Sequence, residues 1–132
     1  MSMNIKPTES ELEILQVLWE NGPSTVREVH DQLIKKKESG YTTTLKLMQI
    51  MYEKGLVKRD DTNRSHVYEA VISQDKTRNL MVDKLIKTLF QGSSSKLVLQ
   101  ALGHHKATKE ELAAIRKYLD EMEGREVVSS RQ

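Results

Sequence analysis

The chain has 132 residues, 37% hydrophobic, 30% charged and 5% aromatic, with a formal net charge of +2, which fits one ordinary globular domain or two very small ones. Cysteine is absent, so disulfides, iron–sulfur clusters and thiolate metal sites are excluded. No stretch approaches the ~20 apolar residues that span a bilayer, and the first ten residues hold no apolar run of the kind a secretory signal needs, so a cytoplasmic chain without membrane insertion is expected.

With so few aromatics, the core must be mostly Leu, Ile, Val and Met, and a small domain of that kind is expected to need a partner chain to bury enough surface. A Thr-x-x-Glu pattern occurs at Thr8–Glu11, Thr25–Glu28 and Thr108–Glu111. In a capping box the Thr hydroxyl accepts a first-turn N–H and the Glu reaches back to the Thr N–H. Each pattern here precedes an amphipathic run.

The first helix is predicted over Glu9–Glu20, with Leu12, Leu15, Leu18 and Trp19 on one stripe. Asn21-Gly22-Pro23 ends it. The second spans Val26–Lys36, with Val26, Val29, Leu33 and Ile34 turned inward. After a polar loop, Lys37–Gly40, the third runs Thr42–Lys54, with Thr44, Leu47, Met48 and Met51 inward and Gly55 as its C-cap. Leu56–Arg59 and His66–Ala70 are rich in β-branched and aromatic residues, and Asp60–Ser65 is rich in turn formers. That is a hairpin signal.

Ser73 caps a fourth helix over Gln74–Phe90. A break at Gly92–Ser95 leads to a short helix over Lys96–Leu102, ended by Gly103. The last helix runs Lys109–Glu123 and stops at Gly124, and residues 125–132 are expected to be a disordered tail. Leu112, Ile115, Leu119 and Met122 follow the spacing of a helix–helix seam. With Leu85 and Leu89 they form the candidate dimerisation surface. The expected architecture is mainly α with a small β-wing: a DNA-binding winged helix-turn-helix over 1–72 and a helical dimerisation domain over 73–124.

The winged-helix reading rests on the third helix. Thr42, Lys46, Gln49 and Glu53 share its outer face. Residues 1–75 hold 10 Lys or Arg against 12 Asp or Glu, but between Gln32 and Arg59 there are seven basic residues and two acidic ones. A polar helix face beside local positive charge fits a DNA major groove. Gln can pair with adenine, Lys with guanine or phosphate, and Thr methyls can touch thymine. Lys58 and the tip residue Arg64 add cations for the adjoining backbone. The competing reading is a solvated helix face on a winged-helix protein–protein interaction module without specific DNA binding, which the slightly acidic N-terminal half favours.

Other chemistry finds little footing. His30, His66, His104 and His105 do not make a metal set: a site needs three or four ligands, and adjacent His104 and His105 diverge. They read as loop and surface histidines. No Gly-x-Ser-x-Gly, His-Glu-x-x-His or Gly-rich phosphate loop occurs. Neither an enzyme nor a cofactor is expected.

Several segments together resemble the penicillinase-repressor family of bacterial winged-helix regulators, which includes methicillin-resistance and copper-responsive repressors. They are residues 11–19 (ELEILQVLW), 25–29 (TVREV), 52–59 (YEKGLVKR), 66–69 (HVYE), and Leu89-Phe90-Gln91-Gly92 with Lys96-Leu97-Val98-Leu99. The resemblance implies a homodimeric repressor on a palindromic operator. By position it assigns DNA contact to Thr42, Thr43, Leu45 and Lys46, with Arg64 of the wing; Gln49 and Lys58 join them from the residue reading above. At position 45 the antibiotic-resistance members tend to carry a polar or basic residue, so Leu45 implies a different base preference. Those members are inactivated by cleavage at an Asn–Phe bond after Leu-Val-Leu. Here Gln100 and Ala101 follow that segment. They mark the candidate cleavage site, with a membrane sensor protease as the implied partner. The copper-responsive branch ends in cysteines, which this chain lacks.

Overall fold

The computed structural model of the chain describes residues 6–130. Its elements run α1 (Glu9–Asn21), β1 (Ser24–Thr25), α2 (Val26–Leu33), α3 (Tyr41–Lys54), β2 (Val57–Asp60), β3 (Val67–Ala70), α4 (Gln74–Leu89), α5 (Ser94–His104) and α6 (Lys109–Ser130). The chain divides into two compact units, and the division falls inside α4, between Lys84 and Leu85. The sequence had suggested residue 72, where the hairpin ends.

In the first unit, α1 and α2 both open on the expected capping boxes. Thr8 Oγ1 accepts the Glu11 N–H at 3.2 Å while Glu11 Oε1 accepts the Thr8 N–H at 2.9 Å; Thr25 and Glu28 repeat this at 3.1 and 2.9 Å. Each cap contributes about 1 kcal/mol. α1 ends where Gly22 turns to a φ of 80° and its N–H reaches Leu18 O. Pro23 then leads into β1, which pairs antiparallel with β3. The hairpin thus becomes a three-stranded sheet of order β1-β3-β2. Two residues are too few to show a strand period, so β1 left no trace in the sequence.

The core of this unit is Ile14, Leu15 and Leu18 of α1, Val26 and Val29 of α2, Met48 and Met51 of α3, and Leu56, Val57 and Tyr68 from the hairpin region. Fully burying such a side chain contributes about 1.5–3 kcal/mol. Two expectations need correction. Ile14 is wholly buried, whereas Leu12 and Trp19 are half-buried. Trp19 sits at the edge of the core, where its Nε1 donates to Ile72 O at 2.9 Å and ties the exit of β3 to α1. Ile34 is 47% exposed, because α2 stops at Leu33 and the next residues form turns, with the Lys36 and Lys37 N–H groups both reaching Leu33 O.

The α4 N-terminus and α5 show what two Ser-x-x-Lys spacings do. Ser73 Oγ accepts the Lys76 N–H at 3.0 Å, and Ser93 Oγ accepts the Lys96 N–H at 3.2 Å. Both serines are helix caps rather than nucleophiles beside a lysine. α5 therefore starts two residues earlier than expected and runs through Gly103 to His104. The Thr108–Glu111 box opens α6, with bonds of 2.8 and 3.0 Å.

Gly124 does not stop α6, which continues to Ser130. The expected tail over 125–132 is thereby corrected as far as Ser130; its last two residues lie outside the described residues. The glycines with positive φ are Gly22, Gly55 and Gly92. Gly103 and Gly124 stay helical, at a cost of about 1 kcal/mol relative to Ala. No side chain between Leu85 and Arg125 is buried. Among the described residues, no helix is long and apolar enough to cross a membrane.

Candidate nucleic-acid interface

α3 is fixed from its inner side. Thr44, Met48 and Met51 are buried. At its C-terminus Gly55 takes the left-handed cap, with a φ of 83°, and Lys54 Nζ holds both oxygens of the Glu11 carboxylate, at 2.8 and 2.9 Å. Glu11 is only 2% exposed. Burial pushes its carboxyl up, but the Lys54 ammonium and the Thr8 N–H outweigh that and hold it below the ordinary range. Near the other end of α3, His30 Nδ1 lies 3.0 Å from Thr44 Oγ1, and both residues are buried. The sequence had read His30 as a surface or loop residue. It lies instead on α2, facing α3.

With its inner side held, α3 leaves Thr42, Thr43, Lys46 and Gln49 exposed. None of these four side chains has an ion-pair or hydrogen-bond partner among the described residues. Leu45 is half-buried and rests against the core, so less of it is presented than of its polar neighbours.

Ion pairing sorts the local cations. Lys37 lies 3.7 Å from Glu13, Lys54 is bound to Glu11, and Lys58 is 3.4 Å from Glu69, its cross-strand partner in the β2–β3 ladder. Arg59 Nε lies 2.8 Å from Asp61 Oδ1, and its guanidinium stacks 4.2 Å over the Tyr52 ring. Lys35, Lys36, Lys46, Arg27 and Arg64 have no carboxylate partner among the described residues. The exposed positive charge therefore lies at the start of α2, on the α2–α3 connection, on the outer face of α3 and at the hairpin tip. In the hairpin, Asp60 Oδ1 accepts the Thr62 N–H at 2.9 Å, and this bond holds the Asp60 carboxyl below the ordinary range. The turn that carries Arg64 is thus locally braced.

Arg27 and Tyr41 did not figure among the sequence candidates. The Arg27 guanidinium lies 4.4 Å over the Tyr41 ring, and that ring meets His30 edge-on at 5.6 Å. One sequence signal was available. Arg27 falls in the first turn of α2, where the helix dipole disfavours a cation.

The other expected sites lie in the second unit. Leu85, Leu89, Leu119 and Met122 are exposed, and Leu112 and Ile115 are half-buried. Gln100 and Ala101 are exposed in the middle of α5, so presenting that bond in extended form requires local unwinding. A cleft of about 490 Å³ in the first unit is lined by Glu13, Val17, Leu33, Lys36 and Leu47 among others. Its rim contains the Lys37–Glu13 pair, and no described buried polar side chain in it lacks a partner.

Two solved structures are similar to the chain. A MarR family protein from Bacillus stearothermophilus superposes with a TM-score of 0.48 at 19% identity, covering 94% of this chain and 78% of that one. A mutant of Lactococcus lactis ZitR gives 0.45 at 20%, covering 95% and 79%. Among curated proteins, the transcriptional regulator BlaI of Mycobacterium tuberculosis is 30% identical over 112 residues, which are 83% of this chain and 80% of that one. The penicillinase repressor of Staphylococcus aureus is 20% identical over 113 residues, 86% and 90% of the two chains. Residues 7–121 match the family described as penicillinase repressor. The chain therefore belongs to the penicillinase repressor family, a family of DNA-binding transcriptional repressors and not of enzymes.

Proposed function

We propose that this chain is a homodimeric repressor that holds a palindromic operator, with α3 in the major groove and the β2–β3 wing on the adjoining backbone. Residues 1–72 serve as the DNA-binding domain and residues 73–124 as the dimerisation region. The observation that carries the reading is the outer face of α3. Thr42, Lys46 and Gln49 are exposed and have no partner among the described residues, while the opposite side of the helix is buried. Thr43 stands beside them at the helix N-terminus, and Arg64 supplies a cation from the wing tip. Lys58 joins only by exchanging its pairing with Glu69 for a phosphate.

Dimerisation is supported by the second unit, which buries none of its described side chains. It leaves Leu85, Leu89, Leu119 and Met122 exposed along α4 and α6. A two-fold dimer places its two recognition helices on half-sites one or more ~10-bp turns apart. Repression then follows from occlusion of polymerase.

The test is selection from a random duplex library at low salt. Enrichment of a palindrome is expected, with an affinity that falls steeply as salt rises, because Lys and Arg displace condensed counterions. Absence of any enriched sequence overturns the reading and favours a winged-helix protein–protein interaction module.

A further inference from the structure

We propose that Arg27, stacked on Tyr41 and braced from below by His30 and Thr44, is a clamp for a DNA backbone phosphate at the N-terminal end of α3. The inference rests on the DNA-binding reading above and adds a contact from α2 that neither the outer face of α3 nor the wing supplies.

A column of four side chains leads from the core to the surface. Thr44 is buried on the inner side of α3. Its Oγ1 lies 3.0 Å from His30 Nδ1, which fixes the imidazole between α2 and α3. The His30 ring meets Tyr41 edge-on at 5.6 Å and 82°, and Tyr41 carries the Arg27 guanidinium on its face at 4.4 Å. Tyr41 is the first residue of α3, directly before Thr42 and Thr43. The clamp therefore stands where the recognition helix begins.

Three observations point to a phosphate. First, Arg27 is a cation in the first turn of α2, where the dipole opposes it, and among the described residues no carboxylate pairs with it. Glu28, its neighbour, is turned back onto the Thr25 N–H. Asp31 stands one turn along the same helix and forms no ion pair among the described residues. Second, stacking on an aromatic face fixes the guanidinium in advance yet leaves its in-plane N–H groups as donors. That lowers the ordering cost of a two-pronged phosphate contact.

Third, the molecule contains an internal control. Arg59 makes the same stack, on Tyr52 at 4.2 Å, but Asp61 closes it off at 2.8 Å. One stacked arginine is paired with a carboxylate, and among the described residues the other is not.

The experiment measures binding of the full chain to its selected operator and to a random duplex across a salt series. The variants are Arg27→Ala, Arg27→Lys and Arg59→Ala. Arg27→Ala is expected to weaken both duplexes by the same factor, on the order of tenfold, and to reduce the slope of log affinity against log salt by about 0.9. Arg27→Lys keeps the slope, because the charge remains. Arg59→Ala keeps it too, because that charge is already paired. An Arg27→Ala protein with wild-type affinity and slope overturns the clamp while leaving the repressor reading intact. So does a loss confined to the operator, which marks a base contact, or an equal slope change in Arg59→Ala. A wild-type chain that binds no duplex overturns both readings together.

Discussion

The two units handle apolar side chains in opposite ways. The first buries ten, among them Ile14, Leu15, Val29, Met48, Met51 and Tyr68, around one centre. The second is more helical, with α5 and α6 inside it and the end of α4 leading into it, yet none of its described side chains is buried. Leu89 is 64% exposed and Leu119 51%. The first unit thus has a core of its own. The second has amphipathic helices whose apolar side chains have not found cover within one chain, and exposed apolar surface of that kind marks an interaction site. Stability in the first unit is expected to belong to the monomer, and in the second to the assembly.

Five experiments test this contrast. Replacing Leu89 and Leu119 together by Glu should convert the proposed dimer to monomer in sedimentation and lower operator affinity by about 10²–10⁴-fold, because a second DNA-binding domain is no longer tethered to the first. A variant that stays dimeric at the same concentrations removes the contrast. Ile14→Ala should destabilise the first unit by about 2–5 kcal/mol in urea titration, by the same amount at every protein concentration. A concentration-dependent loss would mean that the first core also depends on assembly.

Glu11→Gln should cost about 1.5–3 kcal/mol, the range for a hydrogen bond to a charged group. It should also flatten the acid limb of the stability curve. The folded Glu11 carboxyl titrates below its unfolded value of about 4.5. The Lys54 pairing therefore stabilises above that pH and is lost as pH falls through the depressed folded value. Acid titration of unfolding in wild type and variant checks this, and parallel curves would remove Glu11 from the account.

Lys46→Ala should cost about 1–3 kcal/mol of operator binding if Lys46 reads a base. A loss spread evenly over random duplexes, with a shallower salt slope, would make it a phosphate contact instead. The smallest effects are at the caps. Thr25→Ala and Thr108→Ala should each cost about 1 kcal/mol. In thermal melts, only the Thr108→Ala loss should shrink with dilution if, as proposed, α6 draws its stability from the dimer.

Much of the first unit was legible because its signals are local. The Thr8 and Thr25 caps formed as their spacing required, as did Thr108 in the second unit, and Gly55 took the left-handed turn at the end of α3. The inner face of α3 also followed from a 3.6-residue period, with Thr44, Met48 and Met51 buried and Leu47 half-buried. Errors arose where a local signal was ambiguous. Glycine permits a helix stop but does not impose one, so Gly103 and Gly124 were misread. Ile14 adjoins Leu15, and the period alone does not say which of two neighbouring apolar residues is turned further inward.

The candidate site divides along the same line. Which residues lie on the outer face of α3 is a matter of helical period, and the sequence was sufficient for Thr42, Lys46 and Gln49. Which cations remain unpaired is a matter of three-dimensional neighbours. Lys54 is bound by Glu11, 43 positions away. Arg59 is closed off by Asp61 while Arg27 is not, and no count of charges along the chain distinguishes them.

The helices, the three Thr-x-x-Glu caps, the hairpin and the family could be read from the chain, because each depends on residues within a few positions or on their order. Only the folded chain brings Ser24–Thr25 into the sheet, buries His30 against Thr44, and rests Arg27 on Tyr41 with no carboxylate partner among the described residues. These depend on contacts between segments distant in sequence, and such contacts leave no periodic trace in the chain.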